Sequence, residues 1–129
     1  MPPIYFRGLG RHASAQPATG NGATIVDLAV EIGKAIAGSF EQTWFPFRRS
    51  RPLAKLRLFC LPFAGGNALL YRDWHALLPE SVEVCPIQLP GRMARLNEAA
   101  FDNAHDAAEI LSDVLAGYLD KPYAFFGHS

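Results

Sequence analysis

Three short apolar runs set the limits on what this chain can fold into. They are LRLFCL at 56–61, VEVCPIQ at 82–88 and YAFF at 123–126. Each is too short for a core helix and has proline, glycine or a charged residue within two positions of both ends, which predicts buried strands. Between the first two, Leu70, Trp74, Leu77 and Leu78 recur at helical spacing, predicting a helix over 67–78 that Pro79 ends. Between the second and third, Ala104, Ala108, Leu111, Leu115 and Leu119 form the stripe of a long helix, and Pro122 follows it. Strands alternating with crossover helices predict an α/β fold, a parallel sheet in βαβαβ order with right-handed connections. Pro86 is the local objection, since a central strand tolerates proline poorly. Three strands also leave the Tyr123 strand at an edge, where an apolar surface invites association.

The 129 residues carry no net charge, but the balance hides a split. Residues 1–55 hold seven basic side chains against three acidic ones; residues 56–129 hold five against nine. Such a shift predicts a boundary between two regions. Residues 1–43 read as an N-terminal extension, with a Gly- and Pro-rich segment over 1–22 and one amphipathic helix over 24–37. Thr24 is its predicted N-cap and Gly38 its C′ residue. Residues 44–129 read as the α/β domain. WFPFRRSRP at 44–52 reads as an extended, solvated arm, with a basic patch for an acidic partner as the other reading. Zero net charge removes the electrostatic case for nucleic acid. No apolar run reaches the roughly 18–20 residues of a membrane span. Cys60 and Cys85 lie inside apolar runs and read as reduced core thiols of a cytoplasmic protein. Neither a metal nor a cofactor is expected.

In parallel α/β sheets, ligands gather at the carboxyl ends of the strands. Two segments of this chain sit there: Pro62-Phe63-Ala64-Gly65-Gly66 after the first strand, and Gly127-His128-Ser129 after the third. A serine in a tight strand-to-helix turn, with glycine two residues before it, is the first half of a nucleophile elbow. A loop of small residues suits the approach of backbone N–H groups to a substrate oxyanion. The same loop taken alone also fits an ordinary turn or a phosphate cradle, but the dinucleotide and Walker glycine patterns are both missing.

Taken in order, LRLFCLPFAGGNALLYRDW, VEVCPIQLPGR and KPYAFFGHS resemble the type II thioesterases of polyketide and nonribosomal peptide assembly lines. The resemblance runs from about Trp44 to Ser129. It implies the N-terminal part of an α/β-hydrolase fold, truncated after the third strand at the elbow. By position it makes Ser129 the nucleophile and the N–H of Phe63 an oxyanion donor, with Ala64 as the nearest alternative. The implied reaction is hydrolysis of acyl thioesters held on the phosphopantetheine of an acyl or peptidyl carrier protein, for editing or release in antibiotic and other secondary-metabolite synthesis. Ser129 would attack the thioester carbonyl, a histidine would take its proton, and water would free the acid. Arg92 in LPGR could meet the phosphopantetheine phosphate or an acidic carrier-protein helix, whereas Arg95 reads as a solvated loop residue.

The family pattern is incomplete in these residues. In α/β-hydrolases the triad runs serine, acid, histidine along the chain, and every acid and histidine here precedes Ser129. His128 adjoins the serine, while His75 and His105 fall on predicted helices. The chain by itself is therefore expected to be inactive. Two other readings remain open: a non-catalytic fragment that binds carrier protein, and another α/β-hydrolase such as an esterase or acyltransferase.

Overall fold

The computed structural model describes residues 24–128. Its three apolar runs pair as β1 (Leu56–Leu61), β2 (Val82–Pro86) and β3 (Tyr123–Gly127), with α1 (Ile25–Trp44) ahead of them. A 3-10 turn (Ala68–Tyr71) and the single turn α2 (Trp74–Leu77) join β1 to β2. A 3-10 turn (Met93–Arg95) and α3 (Ala104–Leu115) join β2 to β3. The sheet is open and wholly parallel, in the order β2-β1-β3. The expected βαβαβ order is therefore present. Among the described residues, no helix is long and apolar enough to cross a membrane.

The pleat of β1 divides the core between two faces of the sheet. Phe59 joins Phe45, Cys85, Ile87, Val114 and Leu115 in one buried cluster. Cys60, the next residue, joins Val84 and Tyr71 in another, with Trp74 and Leu78 against them. Fully burying a side chain such as Phe59 contributes about 1.5–3 kcal/mol. The two cysteines are free and buried, as their apolar settings suggested. Burial pushes both thiols up to about 12.

Pro86 proves compatible with its strand for two reasons. It is the last residue of β2, and β2 is an edge of this sheet. The next residue continues the pairing, with the Ile87 N–H donating to the Cys60 carbonyl at 2.9 Å. On the opposite edge, β3 leaves Tyr123, Phe125 and Phe126 exposed, Phe125 by 55%. The edge position expected for this strand is therefore what the sheet has.

Three helices differ from the periodicity. Helix α3 ends at Leu115 and passes into a 3-10 turn over Ala116–Tyr118, short of Leu119, which is exposed. The segment 67–78 is broken into the 3-10 turn and α2, because its inward residues are Tyr71, Trp74 and Leu78 rather than Leu70 and Leu77, which are exposed. Tyr71 fixes the break by donating its hydroxyl to the Leu61 carbonyl at 2.7 Å. Helix α1 continues past Gly38 to Trp44. Phe40 and Trp44 prolong the spacing set by Ile36, and Pro46 then prevents continuation.

The chain forms two compact units, residues 1–34 and 35–129. In the first, the described part is the start of α1. Thr24 caps it: the Asp27 N–H donates to Thr24 Oγ1, and the Thr24 N–H to Asp27 Oδ2. The Gly- and Pro-rich reading of 1–22 falls outside the described residues.

In the second unit, the run 44–52 is not the solvated arm expected of it. Trp44 and Phe45 belong to the core, and two of its arginines are spent internally. Glu83 of β2, fully buried, accepts from the Arg51 N–H at 2.7 Å, from Arg48 Nη2 at 3.2 Å and from Arg57 Nε. Arg48 also pairs with Glu41, and Arg57 with Asp120 at 2.7 Å. Arg51 donates to the carbonyls of His75, Pro79 and Val82. Burial pushes the Glu83 carboxyl up, but the Arg51 N–H and the Arg57 and Arg48 guanidinium groups together hold it below its ordinary value. A strand carboxylate thus anchors the arm, which explains why the arginines turn inward.

Candidate active site

The register of the sheet decides which loops can cooperate. Leu61 pairs with Gly127, so the carboxyl ends of β1 and β3 lie side by side. The loop after β1 therefore emerges beside the Gly-His-Ser segment. Their nearest described side chains meet edge to face, with the Phe63 and His128 rings 5.5 Å apart at 88°. Ser129 itself lies outside the described residues.

The loop is a tight turn closed by the Gly66 N–H donating to the Phe63 carbonyl at 2.8 Å. Gly65 has φ +82°, as the third position of a type II turn requires. Gly66 is needed for a different reason, since a β-carbon there would come 3.0 Å from both the Phe63 carbonyl oxygen and Leu70 Cδ1. Ala64 is exposed at the crest, with Phe63 half-buried beside it. Among the described residues, no backbone carbonyl accepts from the N–H of either Phe63 or Ala64.

Gln88, which the sequence reading passed over, ties this loop to the next one. It is 2% exposed. Its Oε1 accepts from the Ala68 N–H at 3.2 Å, and its Nε2 donates to the carbonyls of Leu89 and Arg92, each at 3.3 Å. Its own N–H donates to the Trp44 carbonyl at 2.8 Å. One side chain thus holds the start of the 3-10 turn behind Gly66 against the LPGR loop. No local signal in the sequence points to it, because the fold alone brings the Ala68 N–H and the Arg92 carbonyl to its carboxamide.

Arg95 departs from its expected place in solvent. It is 7% exposed, with its guanidinium 3.9 Å from the Trp44 ring centroid. It pairs with Glu98 at 2.7 Å and donates to the Gln88 carbonyl at 2.8 Å. The reason is geometric: the turn Met93–Arg95 directs the side chain back over Trp44, where stacking and two acceptors replace water. Arg92 differs, being half-buried with no partner for its guanidinium among the described residues. Gly91 before it has φ +78°, and a β-carbon there would come 2.8 Å from Ala100 Cβ. His75 Nδ1 lies 2.9 Å from the Arg72 carbonyl oxygen, and His105 is exposed on α3. The register brings neither histidine to the loops that Phe63 and His128 join.

A thioesterase domain family model matches residues 56–129. The chain belongs to the thioesterase domain family. Over 86 residues, this thioesterase domain is 42% identical to the gramicidin S biosynthesis protein GrsT of Aneurinibacillus migulanus, covering 67% of this chain and 34% of that protein. Among solved structures, it is similar to the type II thioesterase BorB from the borrelidin biosynthetic cluster. That match has TM-score 0.62 and 36% identity, over 67% of this chain and 36% of the other. It is also similar to the RedJ thioesterase of the prodiginine pathway in Streptomyces coelicolor, with TM-score 0.58 and 43% identity, over 62% of this chain and 30% of that one. The chain spans about a third of the length of GrsT and of BorB. The resemblance carried by LPFAGG, LPGR and GHS is thus borne out: the domain is of the type II thioesterase kind, within the α/β-hydrolase superfamily, over part of those proteins' length.

Proposed function

We propose that residues 44–129 form the nucleophile-bearing front of a serine thioesterase, with residues 1–43 as an extension to it. Ser129 attacks an acyl thioester carried on the phosphopantetheine of an acyl or peptidyl carrier protein. The Phe63 N–H, with Ala64 beside it, receives the oxyanion that forms. Collapse expels the pantetheine thiol and leaves an acyl-serine, which water cleaves to free acid and regenerate the hydroxyl. Arg92 meets an acidic helix of the carrier protein or the phosphate of its phosphopantetheine arm. The observation that carries this reading is the pairing of Leu61 with Gly127, which sets the Phe63 loop against His128. The two buried free thiols fit a cytoplasmic setting.

These residues supply a nucleophile and one oxyanion loop. The test joins them to the portion of GrsT that follows its own matching segment. The chimera should hydrolyse acyl-phosphopantetheinyl carrier protein faster than simple oxygen esters, and Ser129→Ala should abolish this. Preference for oxygen esters would move the assignment to an esterase. A chimera that binds carrier protein but cleaves nothing would favour the non-catalytic reading.

A further inference from the structure

We propose that a cleft between the 46–49 arm and Arg72 binds a phosphate group. The cleft, of about 210 Å³, is lined by Pro46, Phe47, Arg48, Arg49 and Arg72. Three guanidinium-bearing residues thus line a small concavity that no carboxylate lines. The three are not equally committed. Arg48 is held by Glu41 and Glu83, with its side chain 10% exposed. Its Nε is the one buried side-chain polar atom lacking a partner among the described residues. Arg72 reaches only its neighbour Asp73, with both contacts at 3.4 Å and both side chains exposed. Such a pair is screened by solvent and yields readily to a better acceptor. Arg49 is exposed and has no hydrogen bond or ion pair among the described residues.

The other cations nearby are already spent. Arg51 donates to three carbonyls, and Lys121 to those of Pro52 and Ala54. What remains is one anchored arginine flanked by two available ones. A guanidinium fork matches two oxygens of a tetrahedral oxyanion, and several forks together suit phosphate better than a planar carboxylate. The volume admits a phosphate group with its ester link, not a helix. The phosphate could be free or carried on a pantetheine arm, and the chemistry of recognition is the same. The inference rests on no role for Ser129, so it stands or falls apart from the thioesterase mechanism.

The test uses the 129-residue protein and an arginine-directed dicarbonyl reagent, with modified sites read by mass spectrometry. Inorganic phosphate should slow modification of Arg49 and Arg72 relative to chloride at equal ionic strength. By mass action, a Kd of about 1 mM would slow it about tenfold at roughly 10 mM phosphate. A second arm replaces phosphate with 4′-phosphopantetheine. Protection at about the same concentration assigns the cleft to phosphate alone, and protection at tenfold lower concentration assigns it to the pantetheine-borne group. Saturable broadening of the phosphate phosphorus resonance should vanish in the Arg49→Gln, Arg72→Gln double variant, whose changes lie on exposed side chains. Equal modification rates in phosphate and chloride, or undiminished broadening with the double variant, would overturn the proposal.

Discussion

Replacing Glu83 with alanine should destabilise the domain by about 3 kcal/mol. The carboxylate is fully buried, and its two oxygens serve the Arg51 N–H, Arg48 and Arg57. Removing one partner of a buried ion pair costs about 3–5 kcal/mol, because the remaining charge is left without compensation. The lower end applies here, since Arg48 keeps Glu41 and Arg57 keeps Asp120. Against a domain stability of about 5–15 kcal/mol this is a large fraction. At a urea dependence of roughly 1.5 kcal/mol per molar, the midpoint should fall by about 2 M. The assay is urea unfolding followed by the fluorescence of Trp44 and Trp74 at low micromolar protein. The pH dependence has a definite sign. The folded-state carboxyl lies below its ordinary value of 4.5, so its contribution is present above that value and is lost as pH falls through the folded one. The native protein should therefore lose stability on acidification, and Glu83→Ala should show a flatter profile. A loss under about 1 kcal/mol, the range of exposed pairs, with an unchanged acid profile would refute the buried-network reasoning.

Gly91→Ala should cost about 1–3 kcal/mol, because φ +78° and the 2.8 Å approach to Ala100 both resist a β-carbon, and urea unfolding would read it. Gln88→Leu should speed hydrogen exchange at the Ala68 amide, whose acceptor is lost, while leaving exchange in α3 unchanged. Cys60 and Cys85 should resist thiol reagents at pH 8 in the folded protein, with thiols raised to about 12, and react on adding denaturant. Phe125→Lys should suppress concentration-dependent association measured by sedimentation, since it places a charge on the exposed edge strand β3.

The sheet was legible because strand signals are local. A run such as LRLFCL has few ways to bury both faces, and its pairing with parallel neighbours follows from crossover length. The helices were less so. Leu70 and Leu77 satisfied a helical spacing along with Trp74, yet Tyr71 turned inward in their place, because its hydroxyl could reach the Leu61 carbonyl at the end of β1. Charge was least legible. Arg48, Arg51 and Arg95 look solvated in sequence, and their acceptors, Glu83, the carbonyls of α2 and β2, and Gln88, lie elsewhere along the chain. The loops PFAGG and GHS could be read as a pair only from their places after strands. Gln88, which braces the first of them, could not, since its role exists only once β2 lies beside β1.

Strand β1 is also a ruler. Both proposed halves of the reacting geometry are suspended from strand ends, and their relative height is fixed by which residue of β1 lies opposite which residue of β3. With Leu61 opposite Gly127 they are level. A slip of one residue would displace the Phe63 loop by about 3.3 Å along the sheet and turn Phe59 and Cys60 to the wrong faces. Catalytic alignment tolerates less, since a displacement of about 1 Å can cost a hundredfold in rate. The core therefore proofreads the site: a register that misaligned the chemistry would also fail to bury Phe59.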